Sequence, residues 1–296
     1  MAKRFDKVNV EISNICNLQC SFCPEVQRKK LMMTPELFTR VIEQVAPVTE
    51  QVTFHLMGDP LVHPELPALL DICQAHGTRV FFVTNGVLLN EASQRLLLHP
   101  ALRQVNFSLH SFHDNFGDKD ASVYLGRIFT YTEMAFAERP DLYLNYRIWN
   151  LQEPRGGTSH QADILAAVEK RFEITVNRNP DVRHHKGYRV KNRLYLHYDT
   201  EFVWPDLNLP ELGKEGSCYG LSNHIGVLAD GTVVPCCLDK EGKIPLGNLT
   251  ENSLTEILES PRARAMKLGF QAGKLVEPLC QRCQYITRFV RPAPGR

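Results

Sequence analysis

The chain has 296 residues, 43% hydrophobic and 23% charged, enough to bury one large core or one core with a smaller C-terminal module. Its formal charge is +1 with basic residues scattered along it, which argues against a broad cationic surface for nucleic acid. The N-terminal MAKRFDKVNV has no apolar stretch and no later run reaches the length of a membrane span, so a cytoplasmic location is expected.

In chain order, five strands are expected at Val8 to Ser13, Gln51 to Leu56, Arg79 to Thr84, Gln104 to Leu109 and Leu142 to Trp149. Between the first four lie helix-compatible runs at Thr34 to Val45, His63 to Ala75 and Asn90 to Leu98, and Ala121 to Glu138 precedes the fifth strand. Thr34 before Pro35 and Glu36 reads as an N-cap followed by a first-turn proline. Gln161 to Lys170 and Phe172 to Val176 supply a further helix and a sixth strand. This alternation predicts an α/β fold of six parallel strands whose C-terminal ends share one rim. Polar turns follow those ends: Asn14 and the first cysteines, Met57-Gly58-Asp59-Pro60, Asn85-Gly86, His110-Ser111 and Asn150. Ligands gather at such a rim, so these turns are expected to converge on one cavity. Glu153 to Thr158 and Asn177 to Tyr188 read as loops that would cover it.

After Val190 the rhythm changes. Leu194 to His197 has strand character, Gly226 to Val234 reads as a hairpin turning at Asp230-Gly231, and Ser253 to Leu258 as a short helix. A domain boundary is expected near residues 190 to 210, giving modules 1–200 and 201–296.

Nine cysteines fall in two groups, with Cys73 alone between them in a helical run and expected in the core. Cys16, Cys20 and Cys23 can hold three irons of a cubane cluster and leave the fourth iron open to a non-protein ligand. Cys218, Cys236, Cys280 and Cys283 make an acceptable tetrahedral set, and those donors alone do not separate zinc from iron and sulfide.

Cys16-x3-Cys20-x2-Cys23, with Phe22 before the last thiol, resembles the radical S-adenosylmethionine (SAM) superfamily. That resemblance implies a partial (β/α)6 TIM barrel, a [4Fe-4S] cluster that binds SAM, and a 5'-deoxyadenosyl radical that abstracts hydrogen from the substrate. It places Phe22 against adenine, and Met57-Gly58-Asp59-Pro60 in the role of the family's Gly-Gly-Glu-Pro turn, with Met57 and Asp59 as departures. Thr84 and Asn85 occupy a strand-end position similar to one used for ribose contacts, with Ser108 or His110 expected to contribute from the next strand, and Arg147 is expected to pair either with the cofactor carboxylate or with a supporting carboxylate of the protein. Cys218-x17-Cys236 with Cys280-x2-Cys283 is similar to the auxiliary-cluster module called a twitch domain, related to SPASM. This implies one [4Fe-4S] cluster closed by four protein thiols, in place of zinc.

The expected activity is oxidation of a small molecule or peptide, by dehydrogenation or crosslinking, with the auxiliary cluster accepting or relaying an electron from the substrate. His55, His110, His113, Tyr146 and Trp149 are substrate-side candidates. Cys237 is either a small buried neighbour of a ligand or, facing the cavity, a catalytic hydrogen-atom donor as in radical epimerases. RNA modification and iron-sulfur assembly are the remaining alternatives. A flavodoxin- or ferredoxin-like protein is the expected electron donor, and oxygen sensitivity the expected liability.

Overall fold

The computed structural model describes residues 4–151, 161–201 and 203–289, so the expected rim loop at 153–158 lies outside the described residues. Strands β1 (Lys7–Val10), β2 (Gln51–Phe54), β3 (Arg79–Thr84), β4 (Leu102–Ser108) and β5 (Tyr143–Leu151) pair in parallel, each with the next. Helices α1 (Pro35–Val45), α2 (Leu66–Ala75), α3 (Glu91–Leu96), α4 (Ser111–Phe116) and α5 (Ser122–Glu138) fill the crossovers, and α6 (Ala162–Phe172) follows β5.

Local chemistry sets the helix starts. Thr34 is extended (φ −69°, ψ 156°) and its hydroxyl accepts from the Leu37 N–H, with Pro35 in the first turn. From there α1 turns Phe38, Val41, Ile42 and Val45 into the core, each worth roughly 2 kcal/mol of burial. Asn90 caps α3 with a reciprocal bond to Ser93.

The expected sixth strand is corrected. Residues 172–176 finish α6 and pass into irregular chain, with Glu173 left-handed at the helix C-cap. The sixth parallel strand is instead β7 (Leu194–Thr200), paired with β5 and entered through an antiparallel hairpin from β6 (Gly187–Lys191). The run Phe172 to Val176 is as apolar as a strand, but its phenylalanine closes the apolar stripe of α6.

The C-terminal segment joins the same sheet. β8 (His224–Val227) pairs in parallel with β1 and turns at Asp230-Gly231 into antiparallel β9 (Thr232–Val234), which pairs with β10 (Gly247–Asn248). Among the described residues this gives one ten-stranded sheet in the order β10-β9-β8-β1-β2-β3-β4-β5-β7-β6. It is a mixed sheet with two free ends, not a closed barrel. Helices α7 (Leu254–Leu258) and α8 (Pro261–Gln271) follow β10, α7 starting at a Ser253–Glu256 capping box. No described helix is long and apolar enough to cross a membrane.

Strand alternation divides the sheet into two faces. Val8, Val10, Val52, Phe54, Val105, Phe107, Tyr146, Ile148, Leu194 and Leu196 are buried in the main hydrophobic core. Asn9, Glu11, Thr53, His55, Asn106, Ser108, Asn145, Arg147, Trp149 and His197 take the opposite phase, so the concave face is polar. Part of that polarity is internally satisfied: Asn106 receives bonds from Gln104 and Asn145 and donates to the Phe82 carbonyl.

Glu11, wholly buried, is the centre of the contact between the two halves. Arg28 grips it with two bonds of 2.9 and 2.8 Å, and the Ala229 N–H adds a third at 3.2 Å. Removing one partner leaves a buried charge unpaired. Arg28→Met is therefore expected to lower stability by about 3 kcal/mol, read as a drop in the thermal midpoint of the anaerobic protein. An unchanged midpoint would show that the pair carries no net stability.

Candidate active site

The loop carrying the first three cysteines is held at its base, tip and flank. At the base Ser13 and Met32 form an isolated antiparallel bridge, and Asn14 spans the loop by accepting from Leu31 N (2.8 Å) and donating to the Lys29 carbonyl (2.8 Å). At the tip, α4 supplies two side chains that the sequence did not single out. Asp114 accepts from Ser21 N (2.7 Å) and Ser21 Oγ (2.5 Å), and Asn115 accepts from Gln19 N (3.0 Å). Along the flank, Glu241 accepts from Gln27 N and Arg28 N, while Lys240 donates to the Glu25 carbonyl (3.1 Å).

N–H donors are aimed at the sulfurs themselves. Cys16 Sγ accepts from Leu18 N at 3.4 Å and from Asn85 Nδ2 at 3.8 Å, and Cys20 Sγ from Asn115 Nδ2 at 3.1 Å. Such donors suit sulfurs that carry negative charge as cluster ligands. Without a metal, burial pushes these thiols up, Cys23 to about 12. The Lys240 ammonium acts in the opposite direction on Cys23.

The turn after β2 is built for close approach. Gly58 has φ +75°, and a Cβ there would lie 2.4 Å from the Ser13 carbonyl and 2.7 Å from that of Ile15. Asp59 N donates to the same Ile15 carbonyl at 3.0 Å, locking this turn to the cluster loop. Met57 and Pro60 are buried beside it.

The Asp59 carboxylate is buried and accepts from Leu61 N (2.9 Å), Thr84 Oγ1 (2.9 and 3.0 Å) and Asn85 N (2.7 Å). Asp59 and Thr84 therefore hold each other and join the ends of β2 and β3. Asn85 is likewise engaged, with Asn17 Oδ1 (2.9 Å) and Cys16. Aspartate, one methylene shorter than glutamate, reaches its own turn and the next strand end.

The remaining expected residues lie on the concave side. Phe22 and His110 pack ring to ring at 4.9 Å, and Trp204 Nε1 donates to the Phe22 carbonyl at 3.2 Å. His110 Nδ1 donates to the Arg147 carbonyl (3.0 Å), which leaves its Nε2 as the acceptor nitrogen. Ser108 sits in register with Arg147, whose guanidinium lies 4.3 Å over the Trp149 ring. Trp149 Nε1 in turn donates to His197 Nδ1 at 2.9 Å. Two substrate-side expectations fail on alternation and docking. Tyr146 faces the helices, bonded to Thr132 and packed on Phe107 and Phe129. His113 ties α4 to α6 through the Gly117 carbonyl and Asp163.

At the other end of the sheet, Cys218, Cys236, Cys280 and Cys283 gather with Cys237, close enough for each charge to raise its neighbours' pKa values. Among the described residues no group of three His, Cys, Asp or Glu side chains closes to single-ion spacing. Cys237 packs on Leu56, Leu228 and Val234, and also feels Lys7, so it stands at the boundary between the thiol group and the barrel interior. Cys73 is buried in the core.

The comparisons with known proteins agree with this geometry. Residues 10–145 match the family model described as the radical SAM superfamily, and residues 218–284 that of an iron-sulfur cluster-binding domain, SPASM. The chain belongs to the radical SAM superfamily. It is 21% identical, over 97% of its own length and 96% of the relative's, to an S-adenosyl-L-methionine-dependent 2-deoxy-scyllo-inosamine dehydrogenase of Niallia circulans. Solved structures of like fold include BtrN in complex with AdoMet and 2-DOIA (TM-score 0.62, 19% identity, 96% of this chain and 94% of that one). Another is Streptococcus suis SuiB bound to the precursor peptide SuiA (0.61, 14%, 95% and 71%).

As a radical SAM enzyme the chain carries [4Fe-4S] clusters in both modules and uses SAM. The residues fit: Cys16, Cys20 and Cys23 would hold the SAM-binding cluster, and Cys218, Cys236, Cys280 and Cys283 the auxiliary one. When bound, cluster and SAM together supply the electron and the 5'-deoxyadenosyl radical that start the chemistry. This chain's residues position that group. Gly58 seats the turn after β2 against the Ser13 and Ile15 carbonyls, and the Asp114, Asn115, Arg28 and Lys240 contacts fix the loop that carries the first three cysteines.

Two outcomes follow. Gly58→Ala is expected to displace the Ser13 to Ile15 backbone and with it Cys16. Reconstituted protein should then fall from about eight irons per chain towards four, and retention of all eight with normal SAM binding would contradict the packing. Acid should also weaken the fold. Burial holds His55 at about 3 and His110, His197 and His224 at about 4, below the unfolded value near 6.5. The unfolded chain thus binds more protons, so stability present above pH 6.5 is lost as pH falls towards 4. The thermal midpoint is expected to decline across that window, and a flat profile would refute it.

Proposed function

We propose that this radical SAM enzyme dehydrogenates a small organic substrate bound in the concave face, with the C-terminal cluster taking up the second electron. The observation that supports the reading is the gathering of four thiols around Cys237, whose side chain packs against Leu56 at the end of β2. A substrate carbon gives its hydrogen atom to the 5'-deoxyadenosyl radical. An adjoining O–H or N–H then loses its proton, and one electron leaves for the auxiliary cluster, forming the C=O or C=N bond. His110 can orient the reacting O–H or N–H by accepting its hydrogen bond at Nε2, because Nδ1 is engaged with the Arg147 carbonyl. The dehydrogenase relative, matched over nearly its full length, favours small-molecule oxidation. SuiB, in complex with its precursor peptide, keeps a peptide substrate as the alternative.

Cys237 gives the second reading, epimerisation by thiol hydrogen donation, since its side chain borders Leu56 of the barrel. Phe22, Ser108 and the Gly58 turn are proposed for SAM contact, the modules are proposed to divide near residue 200, and a flavodoxin- or ferredoxin-like donor is proposed to reduce the protein.

With dithionite, SAM and substrate, wild-type protein should form 5'-deoxyadenosine and oxidised product in about equal amounts. Cys280→Ala should still cleave SAM yet lose oxidised product by tenfold or more. Undiminished oxidation would remove the auxiliary cluster from the electron path. Cys237→Ala separates the two readings: oxidation persists under the first, whereas loss of solvent-hydrogen incorporation with continued SAM cleavage marks the second.

A further inference from the structure

We propose that the barrel interior binds an anionic group of the substrate, a carboxylate or a phosphate, between the guanidinium of Arg147 and the ammonium of Lys7. The inference deepens the oxidative reading above and rests on it for the presence of a substrate, but it concerns the charge of that substrate rather than the reaction.

Both cations stand on the concave face. Val8 and Val10 point into the helix-covered core, so Lys7 takes the phase of Asn9 and Glu11; Tyr146 and Ile148 do the same on β5, so Arg147 takes the phase of Trp149. Neither Lys7 nor Arg147 forms an ion pair among the described residues. The carboxylates of the same face are already committed. Glu11 is held by Arg28, Asp199 by Lys186 (2.9 Å) and Arg288 (3.0 Å), and Asp59 by Thr84 and Asn85. The titratable groups that feel Arg147 are His55, His110 and His197, each kept neutral at pH 7 by burial and by that cation. His55 and Cys237 also feel Lys7. Arg147, lowered by burial to about 10, keeps its charge.

Neutral donors surround the same space. Thr53 Oγ1, on β2 two residues before His55 and in register with Asn9, is buried with no hydrogen-bond partner among the described residues. His197 accepts from Trp149 at Nδ1, so its neutral form carries a proton at Nε2. Two cations without a carboxylate partner among the described residues, a hydroxyl likewise unpartnered among them and an imidazole N–H form a donor set for an anion, where charge-assisted bonds are strong. Lys7 opens β1, at the strand end remote from Cys16, so an anion touching it would lie deeper than the cofactor's own carboxylate.

The test uses reconstituted anaerobic holoenzyme and inorganic phosphate, with binding followed by calorimetry with and without saturating SAM. Phosphate is expected to bind the SAM-loaded enzyme, with affinity at least tenfold weaker in Arg147→Gln and in Lys7→Met and largely recovered in Lys7→Arg. Iron content and circular dichroism report that each variant is folded. Variants that bind phosphate like wild type would overturn the proposal. Loss of phosphate binding on adding SAM would also overturn it, and would give Arg147 to the cofactor carboxylate. Failure of the oxidative reading registers separately, as an absence of oxidised product from wild-type protein.

Discussion

A buried carboxylate, Glu11, governs how this molecule holds together. It lies just beyond β1, wholly out of water, and a charge there costs several kcal/mol unless it is matched. The match comes from both directions: Arg28 from the loop that carries the first three cysteines, and the Ala229 amide from the C-terminal hairpin. Arg28 also donates to the Lys240 carbonyl at 2.6 Å, and Lys240 bonds back to the Glu25 carbonyl. The cluster loop is thus anchored to the auxiliary module by charge, while β8 anchors the same module to β1 by backbone pairing. Two cysteine sites far apart in sequence are thereby fixed on one framework.

The rest of the site follows from alternation along short parallel strands. One phase is aliphatic and aromatic and packs under the helices; the other is amide, hydroxyl, imidazole and guanidinium and faces the concavity. Some inward groups satisfy one another, as in the Gln104–Asn106–Asn145 chain. Others do not, and those are the ones left for chemistry. Burial keeps the inward histidines neutral, so the interior offers lone pairs and N–H donors beside fixed cations.

Much of this was legible in the chain. The capped start of α1, the strand at Arg79–Thr84 and the Asp230-Gly231 hairpin are written in local residue chemistry, and the structure places them as expected. The sixth strand was not, because an apolar run of five residues suits a strand and the end of an amphipathic helix equally. Nor was the role of Asp59, whose partners lie on the next strand. Asp114 and Asn115 follow a strand end, a place where polar residues signal a rim, but what they touch is a loop roughly 90 residues earlier.

By itself the sequence determined the chemistry available: three closely spaced thiols after a first strand, four more in a C-terminal module, and a parallel α/β scaffold whose strand ends share a rim. Those features depend on neighbours within a few residues, and short-range spacing fixes them. The tertiary structure decided which polar residues are spent on the fold and which face the cavity. It joined Arg28 to Glu11, turned Asp59 towards Thr84, sent Tyr146 to the helices and left Lys7 and Arg147 without carboxylates among the described residues. Whether a buried charge is paired depends on strands hundreds of residues apart coming into register, and only the folded sheet sets that register.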